Sequence, residues 1–354
     1  MNYNEILFFS GFLLFIFLIL YIDLGLIGRK SHTVSLKEAS LWSFVWISLS
    51  VLFWIALRYY GHLIHGIENI EDIQQKVIQN AHPITLIPGN FAESLNIYNN
   101  NLSLEYITGY LIEYALSIDN VFVMVMIFYS FSVKEKLYKR VLFWGILGAI
   151  VMRFLFIFLS AALIQRFSWT LYIFGGLLLF TAIKMFLNRN KEEKIDTEKH
   201  PVVRFASKYF NVFPRYVGQN FFIRRKKVLQ MTPLFLVLLV IEFSDVIFAV
   251  DSVPAIFSIT KDPYIVFFSN IFAILGLRSL FFLVVHVINL FHYLKTGLSF
   301  LLAFIGAKMF LHSWLKEIGF TTEHSLYVVL GILVISILAS VIFPPKKSEE
   351  INLG

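Results

Sequence analysis

The 354 residues are 58% hydrophobic and only 15% charged, with 39 Phe and no Cys. So small a supply of polar surface excludes an ordinary water-soluble domain, about a quarter of which is charged. The absence of Cys excludes disulfides, thiolate metal sites, iron–sulfur clusters and cysteine nucleophiles, and the net charge of +7 reads as membrane topology rather than nucleic-acid binding.

Roughly 20 apolar residues cross a bilayer, and the apolar runs predict an all-α polytopic membrane protein with about nine transmembrane helices. In chain order, residues 1–60 hold two N-terminal spans, 6–27 and 40–60. The first follows Glu5 with no basic residue before it and lacks a small-residue cleavage site, so it reads as a span and not a cleaved signal. Residues 61–103 read as an irregular exterior loop with His62, His65 and His82 in no tight spacing and an Asn-rich NIYNNN at 96–101. Residues 104–187 hold spans 104–131, 139–164 and 168–187. A basic loop follows at 188–230, with Lys191, Lys194, Lys199, Arg204, Arg224, Arg225, Lys226 and Lys227. Residues 231–315 hold spans 232–259, 264–290 and 297–315, and 316–354 hold the last span, 323–343, and a tail with Lys346 and Lys347.

The connections alternate in charge. Arg29, Lys30 and Lys37 follow the first span, and Lys134, Lys136, Lys139 and Arg140 follow the third; the loop 61–103 carries Glu68, Glu71, Asp72 and Glu93 against Lys76. Basic connections stay cytoplasmic, which predicts the N-terminus outside and the C-terminus in the cytoplasm.

Segments 104–187 and 232–311 resemble each other. Each opens with paired acids six residues apart, Glu113 and Asp119 in the first and Asp245 and Asp251 in the second. Each continues with a mid-span Arg, Arg153 or Arg278, and ends in KMF, which contains Lys184 or Lys308. Three spans per unit is an odd number, so tandem copies lie upside down relative to each other. This 3+3 inverted repeat is a recurrent architecture of secondary transporters.

Five acids, Glu113, Asp119, Glu242, Asp245 and Asp251, fall inside spans. An ionised carboxylate at mid-bilayer costs about 2.5 kcal/mol or more if left alone, so these acids must face the bundle interior. Arg153 and Arg278 compensate two charges and leave three, which a divalent cation and a proton could occupy. Glu242, Asp245 and Ser252 lie near one helix face, as do Glu113, Ser117 and Asn120, whereas Asp119 and Asp251 lie off those faces. Convergence of all of them predicts bent or unwound helices, with Pro254 as one cause. The all-oxygen set suits Mn²⁺, Ca²⁺ or Mg²⁺ rather than Zn²⁺ or Cu⁺. The plainer alternative is ion pairing that only locks helices together; for Lys184 and Lys308 it is snorkelling to the interface. His286, His292 and His312 stand singly and read as core or interfacial residues.

GYLIEYALSIDNVFV (109–123), TPLFLVLLVIEFSDVIFAVDSVPAIFSIT (232–260) and SNIFAILGLRSLFFL (269–283) resemble the signatures of the TerC family of integral membrane proteins, over roughly 104–312. The resemblance implies a polytopic transporter of the bacterial inner membrane, with Mn²⁺ export as its activity. It places the family's acids on Glu113, Asp119, Glu242, Asp245 and Asp251, with Asn120 and Ser252 beside them. Tellurite is an anion that a carboxylate cluster repels, so a tellurium phenotype would be indirect. The expected partners are the lipid bilayer, a divalent cation and protons, with no nucleic acid and no permanently bound cofactor. The runners-up are a non-transporting membrane scaffold for metal stress or protein metalation, and an intramembrane aspartyl hydrolase.

Overall fold

The computed structural model describes residues 3–22, 34–167, 169–188, 197, 200–225, 228–287 and 293–343. Several expected features lie outside these residues: the end of the first span, Arg29, Lys30, Lys191, Lys194, Lys199, Lys226, Lys227, His292, Lys346 and Lys347. The side chain of His312 is also outside the description.

The helices are α1 Tyr3–Ile22, α2 Leu36–Tyr60, α3 Ile70–Gln79, α4 Phe91–Ser130, α5 Tyr138–Arg166, α6 Thr170–Leu187 and α7 Pro201–Tyr209. A two-stranded antiparallel hairpin follows, β1 Phe222–Arg225 and β2 Val228–Met231. Then come α8 Pro233–Phe257, α9 Pro263–Leu275, α10 Leu277–Val287, α11 Leu294–Phe310, α12 His312–Glu317 and α13 Thr322–Ile342. Among the described residues seven helices are long and apolar enough to cross a membrane. The α9–α10 pair, bent by 45°, makes an eighth when taken as one span. The remaining expected span coincides with α11, which has 17 residues.

Local chemistry sets the boundaries. The side chains of Ser35, Asn69, Asn90 and Asp262 accept from backbone N–H groups at the starts of α2, α3, α4 and α9. Pro201, Pro233 and Pro263 occupy first helical positions, where no N–H is needed. Outward surfaces of the long helices are apolar, as at Leu14, Phe180 and Ile335, the arrangement a lipid environment requires.

The segment 61–103 departs from the irregular loop expected. It holds a 3-10 turn, α3 and the first turns of α4, so NIYNNN is helical. At about 1.5 Å per residue, the 40 residues of α4 reach far beyond a hydrocarbon layer of about 30 Å. Its polar first half therefore stands outside that layer while remaining helical. In 188–230 the described part likewise contains α7 and the hairpin rather than only loop.

Two helix pairs run antiparallel. Along α4 and α8, Glu105 meets Thr260, just past the end of α8, and Gly109 meets Ile256. In α6 and α11, Tyr172 meets Phe310 and Phe186 meets Phe300. Basic residues gather at one end of the bundle, where Lys139 pairs with Glu38, Arg140 lies over Phe221 and the Tyr216 hydroxyl bonds the Phe131 carbonyl. The start of α1, the segment 61–103 and the α8–α9 joint share the other end. The apolar interior divides into two clusters. On α4 the division falls between Leu116 and Val121, and on α8 between Ile241 and Ala249. Asp119 and Asp245 lie in those two gaps.

Candidate functional site

α4 and α8 carry the acid pairs, and both helices are continuous through them. The expected unwinding is absent, Pro254 included. In an unbroken helix, six residues turn the side chain by about 240°. The two acids of each pair therefore point in different directions, and the set divides into two neighbouring groups.

Glu113 and Asp245 form the first group. Arg153 of α5, only 1% exposed, lies 2.8 Å from Glu113 and interacts electrostatically with Asp245. Its Nη1 donates to Ser252 Oγ at 2.7 Å and to Asn270 Oδ1. Asp245 is also buried, and its Oδ2 has no hydrogen-bond partner among the described residues.

Asp119 and Asp251 form the second group. Both are half-buried and line a cavity of about 320 Å³ together with Asn120, Ser244, Ser252 and Thr181. Asp251 Oδ1 accepts from the Thr181 hydroxyl at 3.0 Å. Lys184 and Lys295 also line the cavity, and Lys184 acts electrostatically on Asp251. Lys184 is thus part of the site rather than only a snorkelling residue. The charge balance drawn from two arginines therefore omits a cation. Ser252 joins the groups, since it lines the cavity and accepts from Arg153.

The other candidates lie apart. Glu242 interacts with Asp245 electrostatically, and its carboxylate packs against Gly148 of α5 where a methyl group would have no room. Arg278 is half-buried, two residues past the α9–α10 break at Gly276. Lys308 interacts electrostatically with Glu105, towards the other end of α4. Among the described residues no group of three or more His, Asp or Glu side chains is close enough to hold a metal ion. The seven expected ligands therefore do not form one shell; Asp119, Asn120, Asp251 and Ser252 share the cavity.

Sequence reasoning missed Thr181 and Asn270. Each had a signal: Thr181 lies three residues before Lys184, and Asn270 is a lone amide in an apolar run eight residues before Arg278.

The profile described as "Integral membrane protein TerC family" matches residues 98–348. "Uncharacterized membrane protein STKORF319" of Myxococcus xanthus is 41% identical over 333 residues, 94% of this chain and 91% of the relative. "Putative membrane-bound redox modulator Alx" of Salmonella typhi is 42% identical over 344 residues, 97% of this chain and 96% of the relative. An "Uncharacterized membrane protein" of Rickettsia bellii is 38% identical over 327 residues, 92% and 94% of the two chains. No solved structure matches.

Proposed function

The chain belongs to the TerC family of integral membrane proteins, and from that premise we propose that it exports a divalent metal cation, Mn²⁺ before Ca²⁺, in exchange for protons. One observation carries the reading: Asp119 of α4 and Asp251 of α8, two helices that run antiparallel, share a single cavity. Carboxylates, an amide and hydroxyls are hard donors that suit Mn²⁺ or Ca²⁺. Lys184 answers part of the charge while no cation is bound, so an arriving cation has to displace that lysine or a proton. Asp245 Oδ2 is a buried acceptor without a donor among the described residues. A transient metal ion or proton would fill that role as the ion passes. The inverted arrangement supports alternating access, in which the two units exchange shapes. The basic end of the bundle is the cytoplasmic end by the charge rule, which puts the N-terminus outside the inner membrane.

Asp119→Asn and Asp251→Asn, each confirmed as inserted, should raise cellular manganese under Mn²⁺ load relative to wild type. Unchanged manganese in both would refute export and favour the scaffold. The relative from Salmonella typhi is named as a membrane-bound redox modulator. A chain with no Cys cannot act in that capacity by its own thiols, so a redox effect would follow from metal balance.

A further inference from the structure

A second buried set of titratable groups lies at the end of the bundle opposite the basic residues. There α1, α3, α4 and the joint between α8 and α9 meet. His65 turns both ring nitrogens to carboxylates, Nδ1 at 3.2 Å from Glu5 Oε1 and Nε2 at 2.8 Å from Asp262 Oδ2. Two acceptors call for two N–H donors, hence a cationic ring. Burial opposes that charge, but Asp262 and Glu5 raise His65 to about 9. Lys76 of α3 also pairs with Glu5, and the Tyr264 hydroxyl of α9 bonds to it.

Beside this lies a second pair. His82 Nδ1 is 2.8 Å from Glu105 Oε1, and the Asn101 amide donates to the same oxygen at 2.8 Å. The Thr260 hydroxyl donates to Glu105 Oε2 at 2.6 Å, and Lys308 of α11 acts on Glu105 electrostatically. Tyr98 packs edge-on against both imidazoles. Two buried polar atoms have no hydrogen-bond partner among the described residues, His82 Nε2 and the Tyr98 hydroxyl oxygen.

We propose that this cluster is the proton site of the exchange, separate from the cation cavity. The proposal rests on the export reading above. Three carboxylates, Glu5, Glu105 and Asp262, face Lys76, Lys308 and two imidazoles, and of these only the imidazoles ordinarily change charge near neutral pH. Loss of one proton leaves a buried carboxylate with less compensating charge, an unfavourable state that favours opening of the cluster. The route is His82 Nε2. Its N–H bond breaks, the electron pair stays on nitrogen, and the proton passes to water admitted as the cluster opens at the edge-on contact between His82 and Tyr98. Transmission to the cavity needs no proton wire. Glu105 and Asp119 share α4, while Thr260 follows directly on the helix that carries Asp251. Making and breaking the Glu105–Thr260 bond moves two walls of the cavity relative to each other.

Proteoliposomes holding a pH-sensitive dye test this. In wild type a pH gradient should speed Mn²⁺ flux, and Mn²⁺ flux should move protons. His82→Gln and Tyr98→Phe should keep Mn²⁺ flux down its own gradient within about twofold. The component driven by the pH gradient should fall about tenfold, as for a tenfold loss of proton affinity. Should His82→Gln not fold, Tyr98→Phe, which removes a single oxygen, carries the test. Wild-type coupling retained in the folded variants overturns the proton site and leaves export standing. No Mn²⁺ flux in wild type overturns export, and the proton site with it.

Discussion

Arg153 shows how much one buried charge can hold at the scale of a residue. It is ion-paired with Glu113, acts on Asp245 and donates to Ser252 and Asn270, so it ties α4, α5, α8 and α9 together. Arg153→Met leaves two acids buried without a cation, which costs about 3–5 kcal/mol. Unfolding in detergent should show that loss. Arg153→Met combined with Glu113→Leu should recover only part of it, because the double change removes the ion pair but leaves Asp245 buried without its cation. A single variant as stable as wild type would show that the pair does not hold the bundle. His65 gives a pH dependence. Folding raises it from 6.5 to about 9, so its contribution is complete below pH 6.5 and is lost as pH rises through about 9. Each pH step of one between those two values removes about 1.4 kcal/mol. The thermal midpoint should fall over that window in wild type and fall less steeply in His65→Gln. The sequence reading anticipated that Arg153 compensates buried acids, but the His65 pairing escaped it. The sequence gap from His65 to Asp262 is 197 positions, and no spacing rule spans it.

Between elements, α6 and α11 pack with their backbones in contact. A Cβ on Gly306 would stand 2.9 Å from Leu179 Cγ and 3.0 Å from the Gly175 carbonyl oxygen. The backbones meet there, and a backbone oxygen cannot rotate away. Gly306→Ala should therefore destabilise by about 1–3 kcal/mol through overpacking. The nearest atom to a Cβ on Gly176 is at 3.8 Å, so Gly176→Ala should be neutral or slightly stabilising, as alanine favours helix. Thermal unfolding of the two variants reads the difference, and equal effects would remove Gly306 as the crossing point. The sequence shows each helix and its paired acids, but not the rotation of one helix about its axis relative to the next. That rotation sends Glu113 and Asp245 to Arg153 and leaves Asp119 and Asp251 on the cavity. The expectation of unwinding assumed a single shell, and two continuous helices need none.

For the whole molecule, the alternation of loop charge becomes a separation between two ends of one bundle. Glu71, on the first end, and Lys208, on the second, are both exposed. Because the chain has no Cys, Glu71→Cys and Lys208→Cys each introduce a lone thiol. A membrane-impermeant maleimide applied to intact cells should label the first and spare the second, and labelling of both from outside would refute the assignment of sides. The sequence by itself determined that this is a membrane protein, where its apolar spans run, which connections are basic and which acids are unusual. Those are properties of single segments, fixed by local hydropathy and charge. Only the tertiary structure decided which acids share a wall, that α4 continues as helix through the Asn-rich stretch, and that Glu5, His65, His82, Glu105 and Asp262 gather at one end. Those depend on helix rotation and on contacts between distant segments, which packing sets and no local pattern encodes.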